Sequence, residues 1–290
     1  MKGVRQSVKR KRIIRPCACL LLAAALLAAT GCGTQEGAAE DVDAGLAQSG
    51  AAEAARTACA QQGASATAVP GSLRACAMAV EGGEALRYWL YTPENPAENM
   101  PLIVYLHGAS GRGGELEQVV ADEDFPRYLQ TGELSGLRAY VLIPQLPAGQ
   151  RSWSAVADSV YALIRETVSS LPIDEGNVSL SGFSMGGTAV WEFAAQSPGL
   201  FARIAPISGS ARAVLDRAPS LLETPVWAFV GSADTVIRPH SSEQMVAELE
   251  RAGGAARLTV FDGAEHVSVP GLVWRDDDLH LADWLIGAAG

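Results

Sequence analysis

The chain has 290 residues, 48% of them hydrophobic, with 22 lysines and arginines against 32 acids. Seven of those basic residues lie in the first fifteen positions, which hold no acid, so the remainder sets 15 arginines against all 32 acids, a formal charge near −17. Such acidity favours solubility and repels anionic polymers, which argues against nucleic acid as a partner.

In chain order, residues 1–31 read as an export signal. Lys9-Arg10-Lys11-Arg12 and Arg15 form a positive segment, and Cys19 to Ala29 is an apolar stretch too short for a comfortable membrane span. The run Ala28-Ala29-Thr30-Gly31-Cys32 follows and resembles a bacterial lipobox, although Ala29 stands where leucine is more usual. The resemblance implies cleavage before Cys32 and lipidation of that cysteine. The mature protein would then be anchored in the cell envelope, facing outside the cytoplasm without spanning the membrane. A secretory signal cut elsewhere would instead release it. Residues 32–58 are mostly small and polar with little to bury, as a flexible tether would be.

Residues 59–290 make one domain of ordinary size without internal repeats. Cys59 and Cys76 are expected to pair in an oxidising compartment, the alternative being two unlinked thiols; no metal-type Cys/His spacing occurs and no cofactor motif is expected. The segment Leu86 to Tyr91 alternates as an early antiparallel strand would, and Pro101 to Leu106 is a continuous apolar run suited to a parallel strand covered on both faces. Further strands are predicted at Tyr140 to Ile143, Val178 to Ser181, Ile204 to Ile207, Val226 to Val230 and Leu258 to Phe261. Helical stretches such as Trp153 to Leu171 and Ser241 to Ala252 separate them, giving an α/β class with a doubly wound, mostly parallel sheet. Ligands in that architecture bind beyond the carboxyl ends of the strands.

Four such ends carry chemistry. Gly182-Phe183-Ser184-Met185-Gly186 lies between a predicted strand and a predicted helix, Gly187 to Gln196, the setting of a nucleophilic serine on a sharp turn. Asp234 follows the strand ending at Val230, and His266 follows the last strand, so the order is Ser, Asp, His. His266 would accept the hydroxyl proton and Asp234 would orient the imidazole. Asp262 is a competing partner for His266, while His280 and His240 read as helix-packing, capping or surface positions. The glycine-rich turn His107-Gly108-Ala109-Ser110-Gly111 would provide one oxyanion donor near Ala109, with the amide of Met185 as the second. His107 reads as support for that loop, and the competing reading of the loop is a phosphate-binding or plain turn.

With these residues placed, the chain resembles the α/β-hydrolase superfamily over roughly residues 88–286, and within it the carboxylesterase branches: phospholipase/carboxylesterase, predicted peptidase and feruloyl-esterase-like enzymes. The matching segments are Leu106-His107-Gly108 with Gly111-Arg112-Gly113, Ile143-Pro144-Gln145 with Trp153, the Ser184 turn through Gly187, Trp191, Pro206 to Gly209, Asp234 to Pro239, His266 and Asp283-Trp284-Leu285. Glu265 departs from the pattern, because such families commonly carry glycine before the histidine. The resemblance implies a serine esterase acting on small-molecule or polysaccharide-linked esters, with a peptidase or an inactive surface binding protein as alternatives. Fewer than twenty residues separate Ile207 from Val226, too few for a large lid, so an open acyl site is expected. Trp153 and Gln145 are expected near its rim, although Trp153 would serve equally as a core aromatic.

Overall fold

The computed structural model describes residues 10–13 and 71–288. Among the described residues, nine strands form one sheet: β1 (Arg10–Ile13), β2 (Ser72–Met78), β3 (Leu86–Thr92), β4 (Met100–Leu106), β5 (Tyr140–Pro144), β6 (Ile173–Phe183), β7 (Arg203–Ile207), β8 (Val226–Gly231) and β9 (Ala256–Phe261). Their spatial order is β1-β9-β8-β7-β6-β4-β5-β3-β2. The block from β5 through β4 and β6 to β9 is parallel, while β2, β3 and β1 add antiparallel edges.

The strand sequences explain why both faces are covered. Along β4, Leu102, Val104 and Leu106 enter one core while Ile103 and Tyr105 enter the other, so a continuous apolar run serves two layers. Helices α1 (Glu117–Asp122), α2 (Asp124–Thr131), α6 (Val269–Trp274) and α7 (Leu281–Leu285) cover the Tyr105 face. The opposite face is covered by α3 (Ala157–Ser170), α4 (Met185–Gln196) and α5 (His240–Arg251). The 208–225 connection folds into short 3-10 turns over Arg212–Leu221 and contains no lid domain.

Two edges depart from the sequence reading. The strand Ser72–Met78 was not anticipated; its whole length pairs with β3, and Cys76 points into the core. Cys59 and Cys32 lie outside the described residues. Arg10–Ile13, assigned to the export signal, pairs antiparallel with β9. An edge strand presents a row of open amides and carbonyls, which an extended segment of any sequence can satisfy.

The chain order fixes where a ligand would sit. From β4 the chain first moves outward to β5, then returns past β4 to β6 and continues in the other direction. The loops leaving β4 and β6 therefore diverge, opening a crevice at the carboxyl ends of these two neighbouring strands.

Candidate active site

At that crevice β6 turns directly into α4 through Ser184, whose φ of 57° and ψ of −114° fall outside the ordinary regions for a side-chain-bearing residue. Such a conformation costs about 1–3 kcal/mol and persists only where the surroundings determine it. Here the Ser184 amide donates to the Ile207 carbonyl at 2.9 Å, and the Ser184 carbonyl accepts from Thr188 N–H at 2.9 Å. The flanking glycines answer to a close approach. A Cβ on Gly186 would stand 1.8 Å from the Leu106 carbonyl oxygen, and one on Gly182 would stand 2.6 Å from the same atom. The turn is thus pressed onto the end of β4, and the glycines permit that contact.

The structure brings Ser184, His266 and Asp234 together. Ser184 Oγ lies 2.8 Å from His266 Nε2, and His266 Nδ1 lies 2.6 Å from Asp234 Oδ2. A carboxylate only accepts, so Nδ1 carries the proton and Nε2 is left to accept from the serine hydroxyl. Asp234 Oδ1 accepts from the amides of Val236 and Ile237, each at 2.9 Å, which pins the carboxylate in a tight turn after β8. Asp234 and His266 are buried, Ser184 is half-buried, and Phe183 packs against the imidazole with ring centroids 4.9 Å apart. Glu265 occupies an extended conformation with φ of −85° and ψ of 167°, which requires no glycine.

The competing acids and bases lie elsewhere. Asp262 accepts from Ser232 Oγ at 3.1 Å, and His240 is exposed at the start of α5. His280 precedes α7 with φ of 47°, exposed and 3.7 Å from Asp283.

Met185 and Ala109 border the serine from the two diverging loops. Met185 is the first residue of α4, and Ala109 opens a 3-10 turn, Ala109–Gly111, just after β4. Neither backbone amide has a backbone or side-chain acceptor among the described residues, so both are available to an anion. Helix starts leave such amides open, and the α4 dipole adds to the attraction.

The loop after β4 is fastened from below by buried polar groups. His107 Nε2 accepts from Leu146 N–H at 3.0 Å, so Nδ1 bears the proton and donates to the Gly108 carbonyl at 2.5 Å. Burial lowers the His107 pKa from 6.5 to about 4, keeping the ring neutral in this role. Trp153 and Gln145 do not form a rim. Trp153 is 1% exposed and donates from Nε1 to the His107 carbonyl at 3.1 Å. Gln145 is 2% exposed and donates from Nε2 to the carbonyls of Gly111 at 3.1 Å, Gly113 at 2.6 Å and Glu115 at 3.2 Å. Both positions follow β5, where ligand-facing residues are expected, but a loop whose carbonyls turn inward needs buried donors more urgently.

Glu123 was missed by the sequence reading altogether. It is 2% exposed, accepting from Gly108 N–H at 2.7 Å and from Tyr105 O–H at 2.9 Å. Burial, reinforced by Asp124 and Asp122 against the two hydrogen bonds, raises its pKa from 4.5 to about 7. The one clue in the sequence was Tyr105, a hydroxyl in an otherwise apolar strand that had to find a partner.

A cavity of about 430 Å³ lined by Met100, Leu137, Arg138 and Ile286 opens at the opposite end of the sheet, and no member of the Ser184 cluster lines it.

Comparison with known proteins places this geometry in context. Residues 147–268 match the model of the Dienelactone hydrolase family. A bifunctional acetylxylan esterase/xylanase from Neocallimastix patriciarum is 28% identical over 166 residues; the match covers 54% of this chain but only 22% of that protein. Among solved structures, a thermostable esterase superposes with a TM-score of 0.63 at 24% identity, covering 76% of this chain and 64% of the other. An acetyl xylan esterase from Aspergillus awamori superposes with a TM-score of 0.54 at 16% identity, covering 75% of this chain and all of the other. Together with the sheet order, these likenesses establish the α/β-hydrolase fold.

Proposed function

We propose that the protein is a serine hydrolase that cleaves carboxylic esters, with Ser184 as nucleophile, His266 as general base and acid, and Asp234 as the group that orients His266. The observation that carries this reading is the unbroken chain from Ser184 Oγ to His266 Nε2 at 2.8 Å and from His266 Nδ1 to Asp234 Oδ2 at 2.6 Å. As Ser184 Oγ attacks the ester carbonyl carbon, its proton passes to Nε2 and the carbonyl electron pair becomes an oxyanion. The amides of Met185 and Ala109 stabilise that charge. Collapse breaks the bond to the alkoxide, which takes the proton from Nε2 and leaves an acyl-serine. Water then repeats the sequence, giving its proton to His266 and releasing the acid.

The rim bears on the substrate class. Val236 is 70% exposed and Val267 is 74% exposed, two aliphatic side chains standing within two residues of Asp234 and His266. They offer apolar contact to a short acyl or aryl group, and the short 208–225 connection leaves this side open to a bulky leaving group such as a sugar chain. The names of the similar proteins, acetylxylan esterase among them, agree with that class. The lipobox-like run ending at Cys32 supports placement outside the cytoplasm on a lipid anchor, where large external esters are encountered.

A fluorophosphonate probe tests the chemistry: the wild type should be labelled and Ser184→Ala should not. A folded wild type that resists labelling would sink the reading. Parallel assays on p-nitrophenyl acyl esters and peptide anilides should give turnover on the esters alone.

A further inference from the structure

Glu123 has no part in the proton transfers above, yet its position is among the most constrained near the site. It lies at the junction of α1 and α2, and both of its oxygens are engaged by Gly108 N–H and Tyr105 O–H. The groups bearing on its charge are Tyr105 from β4 and its chain neighbours Asp122 and Asp124. The other ring on the loop, His107, is neutral. No cation is among them, so the carboxyl is not retained for an ion pair.

What it holds is the peptide next to the oxyanion donor. Gly108 precedes Ala109 and takes an extended conformation, φ −73° and ψ −171°, at the start of the 3-10 turn. A Cβ built on Gly108 would stand 3.1 Å from Glu123 Oε1 and 3.4 Å from Ser184 Cβ. Glu123 and the nucleophile therefore both flank the space beside Gly108 that a side chain there would fill, with Glu123 Oε1 holding the Gly108 amide at 2.7 Å.

We infer that Glu123 is a positioning residue: by accepting Gly108 N–H it fixes the peptide that aims the Ala109 amide at the developing oxyanion. The inference rests on the hydrolase reading. Protonation does not undo this hold. The neutral carboxyl still accepts from Gly108 through its carbonyl oxygen and gives its own proton to Tyr105 Oη, and it removes a negative charge that would oppose the oxyanion. With a pKa near 7, the neutral form is accessible close to neutral pH. Glutamine reproduces that form, one oxygen for Gly108 and one N–H donor for Tyr105.

The test compares Glu123→Ala and Glu123→Gln with the wild type on p-nitrophenyl acetate. Glu123→Ala should lower kcat by about 10²-fold with KM changed less than about threefold, because the lost alignment is felt in the transition state. Glu123→Gln should restore kcat to within about threefold of wild type, whereas Glu123→Met, which fills similar space without accepting from Gly108 N–H, should stay as slow as Glu123→Ala; a Met variant as fast as Gln would show mere space-filling and overturn the positioning role. Should Glu123→Ala fail to fold, Glu123→Asp carries the test: it withdraws the acceptor by one methylene and should show the same fall in kcat at constant KM. A folded Ala or Asp variant with wild-type kcat, or a Gln variant as slow as Ala, overturns the positioning role. A wild type that neither turns over ester nor reacts at Ser184 overturns the hydrolase reading itself, so the two failures are distinct.

Discussion

The two sides of the crevice are built on different plans. On one side, Asp234 and His266 stand in the short loops after β8 and β9 and are joined to each other and to Ser184 by direct side-chain hydrogen bonds. On the other side the loop after β4 would present only a backbone amide, and its shape is held by its own His107 together with Glu123 from the α1–α2 junction and Gln145 and Trp153 from the segment after β5. Under the proposed function, the first side would act through side chains and the second through a backbone that side chains hold still. Substitutions on the two sides should therefore fail differently.

The largest effect is expected on the acid-base side. Asp234→Asn keeps the shape but lets the imidazole take the wrong tautomer, and kcat on p-nitrophenyl esters should fall by about 10⁴-fold with the unfolding midpoint nearly unchanged. A fall below tenfold would mean that Asp234 does not orient the base.

Where the two sides meet, the expected damage is to the fold. Gly186→Ala drives a methyl group into the Leu106 carbonyl oxygen, 1.8 Å from the new atom, with only backbone to yield. Urea unfolding should register a loss of about 3 kcal/mol or more. Gly149, which has nothing within 4 Å of a built Cβ, should accept alanine almost without effect. Equal stabilities for the two variants would contradict the close approach of the serine turn to β4.

The third effect separates two buried groups on the oxyanion side by the sign of their pH dependence. Glu123 has a raised folded pKa, so its contribution to stability is full below 4.5 and is lost as pH climbs through about 7. His107 has a lowered one, so its contribution is full above 6.5 and is lost as pH falls towards about 4. Each shift corresponds to about 3 kcal/mol, and in the wild type the two oppose each other across nearly the same window. Glu123→Gln removes one of them and should leave a stability that rises by about 3 kcal/mol between pH 4 and 6.5 in urea titrations. A slope identical to wild type would show that Glu123 is not the opposing group.

The same division governs what the sequence made legible. The seven strands expected between Leu86 and Phe261 are present, because both-face burial leaves an apolar run that reads directly. The Ser184 turn and the residues after β8 and β9 were equally accessible, since a strand end followed by a polar residue is a local signal. The sequence places Gln145 at the rim and leaves Trp153 between rim and core, and only Trp153's core reading agrees with the structure; the partners of both, carbonyls 30 to 46 residues away, leave no local trace. Glu123 sits in the run Asp122-Glu123-Asp124, which looks like a solvated surface until Tyr105 is placed against it. Ser72–Met78 leaves a weaker signal because only Cys76 and Met78 of its seven residues are buried at this edge, so its apolar pattern is incomplete.

The central claim is that Ser184 carries the acyl group through the reaction. Rapid-quench mass spectrometry of the wild type turning over p-nitrophenyl acetate should find the mass of one acetyl group on the peptide containing Ser184, and Ser184→Ala should neither acquire it nor turn over. Continued hydrolysis without that adduct, or undiminished turnover by Ser184→Ala, would contradict the account.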